Sequence, residues 1–252
     1  MAKRFNRLGE TRVSNEGYEM VIVKSEGDRN IYVEFQDDYK FIKKTSYKHF
    51  KEGAVSNPYH NSVYGVGAKG VGDYNDFTSN DIRYRTWSGM LRRCYSEEYL
   101  SKKPSYKGCV VCEEWKNYQN FAKWFDDNYY EIEGEIMCLD KDILVKNNKI
   151  YSPKTCIFVP NCINSLFTKN NRIRGKYLIG VNSKNGNIFY AVCSDGTKHN
   201  IRLGSFKTIE EAFTTYKNFK EHTIKSVADK YKDFIPSKLY EALYLYKVEI
   251  TD

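Results

Sequence analysis

No stretch of this 252-residue chain approaches the ~20 consecutive apolar residues that a membrane-spanning helix needs, which excludes an integral helical membrane protein. The start, MAKRFNRLGE, lacks the apolar run of a secretory signal, so a cytoplasmic protein is expected. Internal repeats and low-complexity tracts are absent as well. Cysteine is not rare, but seven residues, an odd number scattered from Cys94 to Cys193, do not make a disulfide framework and read as reduced thiols. Histidine is scarce. None of the four, His49, His60, His199 and His222, lies between Met137 and Val159, where a hairpin is predicted below, so no histidine stands there by sequence position to exchange protons near neutrality.

What is abundant is positive charge and flat rings. Forty Lys+Arg against 32 Asp+Glu give a net charge of +8, with 22 Tyr and 14 Phe, a balance that suits a polyanionic partner and equally describes a solvated surface. The length permits one large domain or several small ones. The patterns below divide it into a β module with linker over 1–75, a central module over 80–170, a third over 174–225 and a helical tail over 226–252.

In the first module Tyr18, Met20 and Ile22 alternate with polar neighbours, as do Ile31, Val33 and Phe35, with Asp28 and Asn30 in the turn between them. A third strand is predicted around Tyr39 to Ile42. Pro58, Gly65, Gly67, Gly70 and Gly72 mark Asn57 to Asn80 as a loop or linker. Helices are predicted over Thr86 to Tyr95 and Trp115 to Tyr129, the second carrying Trp115, Tyr118, Phe121, Ala122 and Phe125 on one core-facing stripe. A β-hairpin should follow, with Met137 to Leu144 and Cys156 to Val159 as its arms and Asn147 and Asn148 near its turn.

Beyond the basic link Thr168 to Lys176, three short strands are predicted over Leu178 to Asn182, Ile188 to Ser194 and His199 to Leu203. Thr208 then caps a helix with Glu210 and Glu211 in its first turn and Ile209, Ala212, Phe213, Tyr216 and Phe219 on its buried face. A final helix is predicted from Ile235 to Lys247. Because strand side chains alternate, Ile201 and Leu203 should face the helix while Asn200 and Arg202 face away, where an Asn and an Arg suit adenine and guanine edges.

The string GVNSKNGNIFYAVCSDGTKHNIRLGSFKTIEEAFTTYKNF, Gly180 to Phe219, resembles the Apetala or ethylene-response-factor DNA-binding domain, with its Gly-Val, aromatic-Ala strand, Leu-Gly-x-Phe and Thr-x-Glu-Glu-Ala. The resemblance implies a three-stranded sheet laid in the major groove of double-stranded DNA and backed by one helix. It places Asn182 and Lys184 on the first strand, and Tyr190 and Val192 on the second, at groove-facing positions beside Asn200 and Arg202. The plant family carries more Arg and a Trp there. From Arg174 to Lys207 the cations Arg174, Lys176, Lys184, Lys198, Arg202 and Lys207 meet one acid, Asp195, which favours phosphate contact.

The stretches TWSGMLRRCY, GCVVCEEWKNYQNFAKW and LDKDILVKNNKIYSPKTCIFVPNCIN resemble the HNH, or His-Me finger, endonuclease modules of phage proteins that carry this same reader. Such a resemblance implies a ββα module in which an Asp-His pair ends the first strand, the His activating water and the Asp helping to hold a divalent metal. Here Asp140 matches the Asp, Lys141 stands at the base, Thr155 at the middle Asn and Asn161 at the final His, with Asn164 at another common Asn. An unperturbed lysine, with a pKa near ~10.4, is protonated at neutral pH, repels a divalent ion and accepts no proton. Hydrolysis by the usual route is therefore not expected. Burial can lower a lysine pKa, which leaves Lys141 as base, with Mg2+ on Asp140 and Asn161, as the alternative. Asp140 and Lys141 as plain turn residues are a further one.

Cys109-Val-Val-Cys112 has the spacing of a zinc knuckle, and Cys94, Cys138, Cys156 or Cys162 would have to complete it. Without a second pair of that spacing, buried thiols beside Trp115 are expected rather than structural zinc.

The fold class expected is α+β: a small N-terminal β module, a central ββα-type module with flanking helices, and a C-terminal three-stranded antiparallel sheet on one helix. Three functions fit. The first is a phage-type DNA-binding protein related to HNH homing endonucleases with cleavage lost or altered, Arg83, Arg85, Arg92 and Arg93 guiding the backbone; it would act in the cytoplasm of a bacterial host. The second is an active Mg-dependent site-specific endonuclease. The third is a phage protein that inhibits a host defence complex, for which Glu113 to Glu135, with seven acids against two lysines, would offer an acidic surface.

Overall fold

Alternation of apolar and polar residues builds the first sheet, β1 (Thr11–Val13), β2 (Glu19–Ser25), β3 (Ile31–Phe35) and β4 (Ile42–Thr45), an antiparallel meander in chain order. Met20 and Ile22 of β2 and Ile31, Val33 and Phe35 of β3 are buried together with Phe50 of helix α1 (Tyr47–Lys51) and Val55. The strand predicted at Tyr39 begins three residues later. Asp37 Oδ1 accepts the backbone N–H groups of Tyr39 and Lys40, and Lys40 takes a positive φ, so Tyr39 belongs to the turn.

The computed structural model describes residues 7–167, 177–194 and 200–250, in two units, Met1–Phe125 and Asp126–Asp252. Helix α2 (Ile82–Tyr95) starts where Asp81 accepts the N–H groups of Arg83 and Tyr84. It is followed by α3 (Glu97–Lys102), a 3-10 turn (Pro104–Tyr106), β5 (Val110–Val111), α4 (Glu113–Lys116) and α5 (Tyr118–Asn128). The apolar stripe from Trp115 to Phe125 is buried as its spacing predicts, but the helix is broken in two. Asn117 is extended at φ −87°, ψ 120°, and its Oδ1 accepts the N–H of Gln119, so it ends one helix and opens the next.

The glycine-rich segment before α2 is no free linker. Ala68 exchanges backbone hydrogen bonds with Lys116 and Tyr118, and the Gln119 amide donates to the carbonyls of Lys69 and Tyr74. A Cβ on Gly67 would meet Leu91 at 2.4 Å and Trp87 at 2.9 Å, so glycine is what lets this loop lie against α2.

In Asp126–Asp252, β6 (Met137–Asp140) and β8 (Ile157–Pro160) pair antiparallel, with the short β7 (Ile150–Tyr151) between them in the chain and α6 (Asn161–Leu166) after them. The first arm stops at Asp140, short of the predicted Leu144, because the Asp140 carboxylate turns the chain. Then come β9 (Val181–Ser183), β10 (Phe189–Ser194) and β11 (Asn200–Phe206), in sheet order β11-β10-β9, antiparallel throughout. Helix α7 (Ile209–Tyr231) opens on a capping box between Thr208 and Glu211, and α8 (Ser237–Leu245) follows.

Helix α7 runs unbroken through 225 and serves two cores. Ala212, Phe213 and Tyr216 pack on Val181, Phe189, Ala191 and Cys193 of the sheet. Ile224, Ala228 and Tyr231, further along, pack with Ile157, Val159 and Ile163 of the hairpin module and with Leu239 and Leu243 of α8. The fold is thus mixed α+β, with a four-stranded antiparallel N-terminal sheet and a three-stranded antiparallel sheet on α7. Among the described residues no helix is long and apolar enough to cross a membrane.

Candidate nucleic-acid interface

Period-two alternation along β10 buries Phe189, Ala191 and Cys193 against α7 and leaves Tyr190, Val192 and Ser194 on the other face. Residues directly opposite one another in a ladder share a face. Tyr190 stands between Asn182 of β9 and Ser205 of β11, Val192 stands opposite Arg202, and Ser194 opposite Asn200. The outer face therefore collects Asn182, Tyr190, Val192, Asn200, Arg202 and Ser205, with Asn200 and Arg202 exposed. Lys184 is exposed too, though β9 ends at Ser183 and Lys184 lies in the turn rather than on the strand. Arg174, Lys176 and Lys198, and the turn Asp195 to Lys198, lie outside the described residues.

One feature of this face departs from simple alternation. Val192 pairs with Arg202 and Ala191 with Gly204, so Leu203 is an extra residue, a β-bulge in β11. The bulge shifts the phase of the strand. Leu203 and Phe206, three apart, both pack on the sheet's core, and Arg202 and Ser205, also three apart, share the outer face. Arg202 Nη2 donates to Ser205 Oγ at 2.6 Å, and the guanidinium carbon lies 4.5 Å from the centre of the Tyr190 ring. Ile201, opposite buried Cys193, is 37% exposed and stands at the margin of the core it was expected to join. Sequence reasoning had no place for Ser205 or for the Tyr190–Arg202 stack. The glycine of Leu-Gly-Ser-Phe was the signal that marks the bulge.

The hairpin tells against a divalent ion. Asp140 Oδ1 accepts the N–H groups of Asp142 (2.8 Å) and Ile143 (2.7 Å), closing the turn that ends β6. Burial, and then the neighbouring Asp142 carboxylate, push the Asp140 pKa up to about 6. Lys141 is buried, 6% exposed, and its Nζ donates to Asp142 Oδ2 at 2.8 Å, facing the Tyr151 ring at 5.9 Å. Asn161 is not near this turn. Its N–H bonds Ile136 O, one step past the Met137–Pro160 pair, while Asp140 pairs with Ile157 at the other end. That separates the two backbones by roughly 13 Å along the ladder, at ~3.3 Å per residue.

Asn161 Oδ1 accepts instead from the Cys138 thiol. Thr155 Oγ1 donates to Ile150 O at 2.7 Å and shares a hydrogen bond with Ser152, holding a turn rather than orienting Lys141. The Asn148 amide does reach Lys141, donating to its carbonyl and to that of Ile150, both at 2.7 Å. Among the described residues no three His, Cys, Asp or Glu side chains gather as metal ligands. Asp140, with one oxygen taken by two backbone donors, and Asp142, paired with a buried ammonium, do not fit Mg2+, which takes several oxygen ligands in near-octahedral array.

In Met1–Phe125, Arg92 is exposed with its guanidinium 4.9 Å from the Tyr99 ring, and Arg93 is half-buried on the same helix. Arg83 is engaged with Asp81, its Nη2 donating at 2.8 Å, and Arg85 donates to Ser79 O. All seven cysteines are free thiols, and burial pushes the Cys112 thiol pKa up. Comparison of the chain with protein families, with curated proteins and with solved structures finds no match.

Proposed function

We propose that the chain is a phage-type double-stranded-DNA-binding protein, related to HNH homing endonucleases, that reads the major groove with the outer face of the β9–β11 sheet. The observation that carries this reading is the outward row Asn182, Tyr190, Asn200 and Arg202 on a sheet whose other face is closed by α7. Tyr190 and Ser205 hold the Arg202 guanidinium before any ligand arrives, which reduces the side-chain entropy lost on contact with a guanine edge. The described part of this sheet and its turns, 177–194 and 200–207, contains Lys184, Arg202 and Lys207 and no acid, so phosphates meet no fixed negative charge there.

Cleavage is lost or altered in this reading. Where an active module has a neutral base and a metal, this hairpin has a buried Lys141–Asp142 pair and an Asp140 carboxylate engaged by two backbone donors. The test is fluorescence anisotropy with a labelled duplex library between about 50 and 200 mM salt, with plasmid nicking in Mg2+ or Mn2+ run alongside. Salt-sensitive duplex binding that Arg202→Ala weakens, with no nicking, is expected. Binding indifferent to Arg202→Ala would overturn the groove assignment, and nicking abolished by Asp140→Ala would restore the endonuclease.

A further inference from the structure

Within Met1–Phe125, the β3–β4 turn and the loop after α1 border a cleft of about 330 Å³, lined among others by Tyr18, Asp37, Asp38, Tyr39, Tyr59 and Glu113. Tyr39 and Tyr59 are stacked face to face, ring centres 3.9 Å apart and planes 2° from parallel, and Tyr39 is 60% exposed. Phe41 meets Tyr59 edge-on, fixing the stack from behind. A rigid, solvent-facing aromatic plane is thus held on a turn.

The Asp37 carboxylate beside it is held as well. Asp37 Oδ1 accepts the N–H groups of Tyr39 and Lys40, and its Oδ2 accepts the Asn57 amide at 2.6 Å. Neither Asp37 nor Asp38 has a cationic partner among the described residues, whereas Glu113 is paired with Lys116 at 2.6 Å. The lining carries Asp37, Asp38 and Glu113 against Lys116, a net −2 in a chain whose net charge is +8. Burial, and then Asp37 and Glu16, push the Tyr18 hydroxyl pKa up, in keeping with a negative potential here.

This chemistry selects its ligand. A net −2 lining disfavours phosphates and carboxylates, and a purely apolar ligand would leave the negative charge of Asp37 and Asp38 without a cation. A cation that lies flat on a tyrosine face while bonding a carboxylate satisfies both features, and a guanidinium does so best. The volume lies within the range of small-ligand sites. We propose that this cleft binds an arginine side chain of a basic partner polypeptide, the guanidinium stacked on the Tyr39–Tyr59 pair and bonded to Asp37 and Asp38. The proposal concerns a different surface from the DNA-reading sheet and stands or falls apart from it.

The test is NMR titration of the full chain with ring-labelled tyrosine, using the peptide N-acetyl-Gly-Arg-Gly-amide and its uncharged citrulline analogue. Saturable shifts at Tyr39, Tyr59 and Tyr18 are expected for arginine, with at least tenfold weaker binding of citrulline. Asp38→Asn and Tyr39→Ala change exposed side chains; each should weaken arginine binding several-fold with the melting temperature kept. Spermine, a cation with no planar head, should bind more weakly than the peptide, and a duplex oligonucleotide should leave these rings unshifted. Equal binding of citrulline, unchanged binding by both variants, tighter binding of spermine, or ring shifts with DNA would each overturn the proposal.

Discussion

Arg202 stands opposite Val192 in the β10–β11 ladder, yet its guanidinium lies over the ring of Tyr190, two residues back, while its Nη2 bonds Ser205. The bulge at Leu203 makes this possible by placing Arg202 and Ser205 on one face despite their odd spacing. A cation is thereby fixed on a ring at the centre of the exposed row.

If that arrangement serves DNA reading, Arg202→Ala should cost about 1–3 kcal/mol of duplex binding and relax the base preference at one position. Tyr190→Phe should bind as the parent does, and Tyr190→Ala should lose affinity only while Arg202 is present. A double-mutant cycle measured by anisotropy should give a coupling of about 0.5–1 kcal/mol. A coupling of zero would remove the ring from the account.

Asp140 ties stability to pH. An unfolded aspartate titrates near ~3.9, whereas the folded Asp140 titrates at about 6, so the fold holds a proton more tightly than the unfolded chain. Its carboxylate therefore weakens the fold above about pH 6, and that penalty fades as pH falls through the window towards about 4. Asp140→Asn keeps an oxygen for the two backbone donors and should be more stable than the parent by about 1–2 kcal/mol at about pH 8, with little difference near pH ~4. Urea unfolding at both values checks it, and an equal gain at the acidic and the alkaline value would contradict the assignment.

The Thr208–Glu211 box satisfies N–H groups at the start of a 23-residue helix. Thr208→Ala should cost about 1 kcal/mol, and Thr208→Ser much less. Because α7 is shared, the loss should appear in the melting of the hairpin core as well as of the sheet, readable by hydrogen exchange at Ile224 and Ala228.

Gly180 has φ 73°, and a Cβ there would come within 2.1 Å of the buried Tyr216 ring. Both backbone strain and overpacking oppose any side chain, so Gly180→Ala should destabilise by about 2–4 kcal/mol. Thermal unfolding that differs from the parent by less than about 1–2 °C would show that the turn relaxes freely.

Much of the fold was legible from residue order. Met20, Ile22, Ile31, Val33 and Phe35 announced two strands because burying one face of a sheet forces a period of two, and Trp115, Tyr118, Phe121 and Phe125 announced a helical stripe for the analogous reason. Thr208 with Glu211 marked a helix start because unpaired N–H groups need acceptors nearby in the chain. The outward placing of Asn200 and Arg202 followed from alternation alone.

What only the tertiary structure decided lies where distant residues compete for one place. The bulge at Leu203 depends on which β10 partner each β11 residue finds. Asp140 and Asn161, close in the expected site pattern, sit at opposite ends of their ladder because register is set by the whole hairpin. Gly67 and Gln119 turn an apparent linker into a packed loop, and Tyr39 and Tyr59, twenty residues apart, become one stacked surface. Local spacing encodes which face of an element is buried, whereas pairing and packing between elements emerge only once the chain has closed on itself.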